Sequence, residues 1–309
     1  MGKKESTAFG GYILILLAGV LWGFIGLFVK QLEAAGSTPD LTALLRMTFA
    51  FLLFLPFCVL RLGWRKMCPG LRDLGFCALQ GLVCFGLFNL FYSKAVVLTG
   101  VSVAAVLMYT APVFTLLISC LLFGEPFTPR KGAAVLLNIA GCALTAVGGK
   151  PDLAALSLPG ILAGVGAGFC YALTPVFGRF GTKRMDSGVL TLYSFLFAAL
   201  FLLLRLVLTG GRAPVLSGRL LLWGLLFGLI PTVCAYFLYY RGISRITETS
   251  RVPVLASVET VVAAVIGMGL YRDALGVWGV LGVLMVLASI LVLHLRLPKM
   301  TRKNPSADK

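Results

Sequence analysis

Apolar residues run along this chain in blocks of about twenty, set apart by short polar stretches. A block of that length, wound as a helix at 1.5 Å per residue, matches the roughly 30 Å hydrocarbon core of a bilayer. Backbone groups in lipid must be satisfied inside their own segment, so each block predicts a transmembrane helix. Ten are predicted, at residues 11–29, 41–60, 74–94, 101–123, 131–149, 158–178, 187–208, 220–240, 251–271 and 276–295. The expected fold class is therefore an all-α integral membrane protein, and an even number of spans puts both termini on one side. The tail from Pro298 to Lys309 is polar and predicted to be disordered.

Composition sharpens this picture. Of the 309 residues 59% are hydrophobic and only 12% charged, about half the charge that a soluble surface uses. The net charge of +16 would suggest a nucleic-acid partner in a soluble protein. Here the basic residues sit in short loops, where they set topology, and no nucleic-acid partner is expected. With the N-terminus inside, 19 of the 27 lysines and arginines fall on the inner side, among them Arg61, Arg65, Lys66, Arg130, Lys131, Arg179, Arg241 and Arg251. Seven fall outside, and three of those, Arg205, Arg212 and Arg219, crowd the loop between spans 7 and 8. The bias predicts cytoplasmic termini. The stretch Gly11–Val29 is too long for a signal-peptide core and lacks a cleavage site, so it reads as the first span. Of the eight cysteines only Cys68 lies in a clear loop; the others read as small buried hydrophobes.

The two halves of the chain resemble each other. At an offset of 149, Ala18-Gly19-Val20-Leu21-Trp22 lies on Ala167-Gly168-Phe169-Cys170-Tyr171, and Lys30 on Arg179. At an offset of 148, Tyr92 meets Tyr240, Ser102 meets Ser250, Val106-Leu107 meets Val254-Leu255, and Glu125 meets Asp273. Five spans per half is an odd number, so the second half inserts upside down. The prediction is ten helices in two inverted five-helix repeats, residues 1–150 and 151–297, followed by the tail 298–309 on the cytoplasmic side. Inverted repeats suit a carrier whose halves rock about a midplane site.

The stretch TAPVFTLLISCLLFGEPFT at 110–128 resembles the fourth-span signature of the EamA-type drug/metabolite transporter superfamily, with its Pro-Val pair and its Gly-Glu at the cytoplasmic end. SVETVVAAVIGMGLYRD at 257–273 is similar to the matching part of the second repeat, with Thr260 in place of a usual proline and Asp273 in place of a usual Glu. The LLRMTFAFLLFLPF run around Arg46 resembles the second span. The resemblance implies a cavity lined by spans 1, 3, 4, 6, 8 and 9 and a bacterial inner (plasma) membrane location. It leaves the substrate open.

Glu259 is the sharpest candidate residue. It is predicted to lie about 12 Å deep in span 9, where an acid is expensive. Desolvation there disfavours its charged form, which suits proton coupling or recognition of a cationic group; a hydrogen-bonded tie between spans is the alternative. Arg46, inside span 2, reads as a snorkelling or structural residue, or as a partner of Glu259 if the helices meet. Candidate substrate contacts in the cavity-forming spans are Trp22, Asn89, Tyr92, Tyr109, Thr110, Tyr171, Thr174, Tyr236 and Tyr240, beside Glu259. Pro112, Pro175 and Pro231 are expected to interrupt spans 4, 6 and 8 and to free the carbonyls of Met108, Tyr171 and Phe227. Glycines 160, 164, 168, 224 and 228 predict close helix packing. His294, the only histidine, is expected at the headgroups.

No catalytic constellation, metal-ligand spacing or phosphate-binding loop is visible, so neither enzyme chemistry nor a cofactor is expected. The reading is a secondary transporter of a small amphipathic metabolite (an amino acid, its analogue or an organic cation), working by alternating access and exporting. Its partners are the substrate, the lipid bilayer and, if Glu259 couples transport, protons. A single deep acid and no deep midplane base argue against a strongly anionic substrate. The alternatives are a non-transporting scaffold or receptor, or a membrane-embedded enzyme.

Overall fold

The computed structural model describes residues 2–148, 157–210, 217–271 and 276–294. Among these the chain is helical and forms no strand. Nine helices are long and apolar enough to cross a membrane: α1 (Ala8–Ala34), α2 (Pro39–Leu62), α3 (Leu71–Thr99), α4 (Val101–Phe123), α5 (Pro129–Val147), α6 (Leu158–Arg184), α7 (Ser187–Leu208), α8 (Gly218–Ile243) and α9 (Thr249–Tyr271). A shorter apolar helix, α10 (Val277–Leu293), completes the ten. The predicted tail 298–309, Arg212 and Asp273, and the His294 side chain lie outside the described residues.

Several spans run past the apolar blocks because a helix ends at its caps rather than where hydropathy fades. Thr38, Thr128, Ser157, Asp186 and Ser217 each accept a backbone N–H two or three residues on, at the starts of α2, α5, α6, α7 and α8. Proline follows the cap directly at the starts of α2 and α5 and one residue later at the start of α6, where its missing N–H costs nothing.

The packing exchanges the two halves. α1 lies against α8 and α9, and its repeat mate α6 lies against α3 and α4; α2 packs on its mate α7, and α5 on its mate α10. The Ala-Gly pairs detected in the sequence mark close contacts between these helices. A Cβ on Gly19 would stand 2.6 Å from the Ala256 carbonyl oxygen, and one on Gly168 would stand 3.1 Å from the carbonyl oxygens of Leu107 and Met108. Ala18 and Ala167 are fully buried. No larger residue fits these positions, which is why the pair repeats.

The irregular turns repeat too. α3 widens into a π-type turn at Gly81–Leu87, and α8 does so at Leu229–Cys234. α4 breaks at Tyr109–Thr110 and α9 at Ser257. Gly81 and Leu229 are 148 residues apart, as are Tyr109 and Ser257. The prolines account for part of this pattern. Pro231 lies in the wide turn of α8, and Pro112 falls in the first turn after the α4 break. The interruption expected at Pro175 does not occur, since α6 continues through it from Leu158 to Arg184. α1 breaks instead, at Gly23–Phe24, a position without a proline.

α5 and α10 touch backbone to backbone. A Cβ on Gly141 would come within 2.8 Å of both the Gly282 carbonyl oxygen and the Val286 nitrogen. Backbone cannot step aside as a side-chain tip can. Gly141→Val is therefore expected to cost about 1–3 kcal/mol by overpacking, read as a lower melting temperature of the detergent-solubilised protein. An unchanged melting temperature would contradict the close approach.

Two expectations shift. Cys234 is exposed on the wide turn of α8, whereas Cys58, Cys77, Cys84, Cys142 and Cys170 are buried. The basic residues that broke the charge bias have local partners. Arg205 pairs with Asp40 at 2.7 Å across α7 and α2, and Arg219 donates to Gln31 at 3.3 Å. Pairing keeps these two cations at the α7–α8 end, where they act as struts between helices.

Candidate functional site

The broken and widened turns bring one set of polar side chains into the bundle interior. Glu259 starts the second half of α9, two residues after the break at Ser257. Its backbone is held close to α1, where a Cβ on Gly23 would stand 3.0 Å from the Glu259 carbonyl oxygen. The side chain is half-buried, and among the described residues none donates a hydrogen bond to it or forms an ion pair with it. Its charge acts on the hydroxyls of Tyr92, Tyr109, Tyr171, Tyr236 and Tyr239. Four of these tyrosines are sequence candidates, and Tyr239 is one the sequence reading missed. Tyr236 and Tyr239 lie three residues apart on α8, with ring centroids 6.3 Å apart.

Arg46 joins this group and does not snorkel. Its Nε donates to Thr232 Oγ1 at 2.9 Å, and its guanidinium lies 4.9 Å from the Phe227 ring centroid. Thr232 in turn donates to the Phe227 carbonyl at 2.8 Å, the carbonyl freed by Pro231. The proline that widens α8 thus positions the hydroxyl that aims Arg46. The guanidinium interacts electrostatically with Glu259, Tyr171 and Tyr236. No Arg46 nitrogen comes within 4.0 Å of the Glu259 carboxylate. Arg46 is thus a base held against α8 inside the bundle. Its signal, a lone arginine inside an apolar span, was visible; its partner, 186 residues away, was not.

The remaining candidates divide. Trp22 is buried against Tyr236 and Tyr239, at 5.0 and 4.9 Å between ring centroids, and its Nε1 has no partner. Asn89 is half-buried and donates to the Phe85 carbonyl in the wide turn of α3. Tyr92 stacks on Phe88, which also meets Tyr171. Thr110 spends its hydroxyl on the Leu107 carbonyl at the α4 break, and Thr174 is sealed at 1% exposure. Tyr240 is fully buried and accepts a 2.6 Å hydrogen bond from Gln80.

A cavity of about 420 Å³ lies between α5, α9 and α10 and is lined by Thr145, Ala263, Gly267 and Gly279. Tyr109 and Thr260 also border it, joined by a 3.0 Å hydrogen bond. Among the described residues its lining carries no charged group.

At the end where α1 begins, a second charged cluster ties α4, α5, α6 and α9. Gly124 turns the chain at φ 61°, and Glu125 then reaches the start of α9. It accepts from the Thr249 and Ser250 amides at 2.6 and 3.1 Å and from Ser250 Oγ at 2.5 Å. Arg179 pairs with it at 2.5 Å, and Lys131 lies 3.7 Å away. Lys131 and Arg251 also hold Glu248, at 3.0 and 2.6 Å. Burial works against the charged form of Glu248, but hydrogen bonds from Arg251 and Lys131 prevail and hold its carboxyl below the ordinary value. Its share of the cluster's stability is thus present above the ordinary carboxylate range and lost as pH falls through it.

Comparison with known proteins decides the family. A family model described as the EamA-like transporter family matches residues 9–147 and again residues 158–295. The chain belongs to the EamA-like transporter family. A protein of Archaeoglobus fulgidus named as an uncharacterized transporter is 29% identical over 285 residues, 91% of this chain and 95% of its own. A second such transporter, from Clostridium kluyveri, is 24% identical and covers 91% and 92% of the two chains. A solved crystal structure superposes with a TM-score of 0.78 over 92% of this chain and 96% of its own. At 19% identity, that likeness concerns the fold alone. This EamA-like chain is therefore a multi-pass membrane protein of a transporter family, with its half-buried polar groups gathered in the bundle interior.

Proposed function

We propose that the chain is a secondary transporter of a small amphipathic metabolite bearing a cationic nitrogen, and that it exports this solute across a bacterial inner membrane with both termini in the cytoplasm. The observation that carries the reading is the Glu259 carboxylate, half-buried, without a hydrogen-bond or ion-pair partner among the described residues, and in electrostatic reach of several tyrosines. An unpaired acid inside a bilayer-spanning bundle costs several kcal/mol unless a ligand or proton satisfies it. Ammonium and proton both do so, and aromatic faces favour a cation. Exchange of one for the other would couple export to the proton gradient. Residues 1–150 and 151–297 would act as the two halves that rock about this site. The charge bias supports the orientation.

The test is flux in proteoliposomes. Purified protein should move ammonium-bearing metabolites faster when a pH gradient is imposed than when it is dissipated. Folded protein that moves none of a broad metabolite panel under either condition would refute the reading.

A further inference from the structure

At the end where α1 begins, α2 and α8 each carry an arginine in their last turn, Arg61 and Arg241. Both guanidinium groups lie against one ring. Arg61 stands 5.4 Å and Arg241 5.8 Å from the Phe237 ring centroid. Phe237 of α8 meets Phe54 and Phe57 of α2 edge-on, at 5.6 and 5.7 Å. Phe57 stacks on Phe54 at 5.6 Å and is 46% exposed. Two cations brought to one ring repel each other, and among the described side chains neither has an ion pair or a hydrogen bond. The nearby acids are taken. Asp73 holds Arg184 at 2.7 Å, Glu125 holds Arg179, Glu248 holds Arg251 and Lys131, and Asp186 accepts the Gly188 amide at 2.7 Å. A ring face offsets a cation only weakly at an exposed site. Guanidinium forks match phosphate, and two of them can grip one phosphate together.

The aromatic seam says what carries that phosphate. Phe57 and Phe237 come four residues before Arg61 and Arg241, so each ring lies one turn deeper along its helix. A molecule with its phosphate on both arginines would lay its next part on the exposed Phe57 ring, at the depth of hydrocarbon. Trp64, three residues past Arg61, is 68% exposed, which suits a residue at headgroup level. A soluble anion would use the arginines and leave the ring bare. We propose that Arg61, Arg241 and Phe57 form a binding site for an anionic phospholipid, which staples α2 of the first half to α8 of the second. The phosphate sits between the guanidinium groups, and an acyl chain lies on Phe57.

Thermal stabilisation of the full chain in neutral detergent, on addition of lipid, tests this. Phosphatidylglycerol should act at a concentration at least about tenfold lower than phosphatidylcholine, whose phosphate is offset by its own ammonium group. Glycerol 3-phosphate, the same head chemistry without chains, should not act at lipid-like concentrations. Arg61→Gln and Arg241→Gln should each remove most of the preference for phosphatidylglycerol. Phe57→Ala should weaken both lipids and keep the preference. Arg65→Gln, which removes an exposed cation four residues past Arg61, should leave the preference nearly unchanged. An equal response of the wild-type protein to the two lipids would overturn the site. So would a loss in Arg65→Gln as large as that in Arg61→Gln, because the attraction would then belong to the basic surface as a whole. Stabilisation by glycerol 3-phosphate as strong as that by the lipid would overturn the lipid as its occupant.

Discussion

Glu259→Gln is expected to lower transport at least about tenfold, equivalent to roughly 1.4 kcal/mol. Glutamine keeps the size and hydrogen-bonding shape of the side chain but carries no charge and takes no proton. The structure gives Glu259 no hydrogen bond or ion pair to lose among the described residues, so the protein's detergent stability should change little. Removal of an uncompensated charge from the interior can even stabilise the fold. The pattern of loss separates the two roles of the acid. A proton site predicts that the variant still binds substrate but ignores an imposed pH gradient. A recognition site alone predicts weaker binding with the gradient response of residual flux retained. A variant that loses stability while each folded molecule transports normally would end the functional reading of Glu259.

Glu125→Ala should have the opposite profile, with a large effect on stability. Glu125 is 6% exposed and meets the first amides of α9, Ser250 Oγ, Arg179 and Lys131. Its loss takes from a half-buried guanidinium its carboxylate and from the start of α9 its acceptor, while Lys131 keeps Glu248. Removing one partner of a buried ion pair costs about 3–5 kcal/mol. The melting temperature should drop sharply, and little of the loss should depend on salt, because buried pairs are poorly screened. Glu125→Ala combined with Arg179→Ala should recover part of the stability, since the guanidinium is no longer stranded. Strict additivity of the two single losses would contradict the direct pairing. The cluster also closes the bundle at the end where α1 begins, so transport that needs this end to open must break it. Glu125→Gln, which keeps an acceptor for the α9 amides, should be intermediate in stability.

Of the readings open for Arg46 in the sequence, the hydrogen bond to Thr232 favours the structural bond over snorkelling, for a physical reason. Within the sequence, a charge five residues inside a span has a default solution, which is to reach back to the headgroups. That default gives way only if the interior offers something better. Here it does, through a hydroxyl and an aromatic ring supplied by α8, and neither is predictable from the neighbourhood of Arg46. Tyr239 and Tyr240 show the same limit. They are adjacent, so sequence separates them only by helix angle. The wide turn at Leu229–Cys234 rotates the faces of α8 beyond it, and Tyr239 joins the Glu259 group while Tyr240 turns to Gln80. A regular helix places Tyr236 and Tyr240 on one face, and their rings are 6.0 Å apart, yet Tyr236 packs on Trp22 while Tyr240 is hydrogen-bonded to Gln80.

The apolar spans, the all-helical class and the likeness of the two halves were legible in the chain alone, because lipid is a uniform solvent that imposes one rule on every segment. That rule is local: about twenty apolar residues with their backbone bonds closed within the helix. The Ala-Gly pairs were legible for a related reason, since a position with no room for a Cβ leaves its mark on composition. What the tertiary structure alone decided were the pairings between distant residues: Arg46 with Thr232, Glu125 with the start of α9, Asn138 with Ser257 and Ser289. Each partner lies more than a hundred residues away along the chain. A polar group buried in a bundle must find a partner, but which helix supplies it depends on how the helices stack and where they break, and hydropathy carries no record of either.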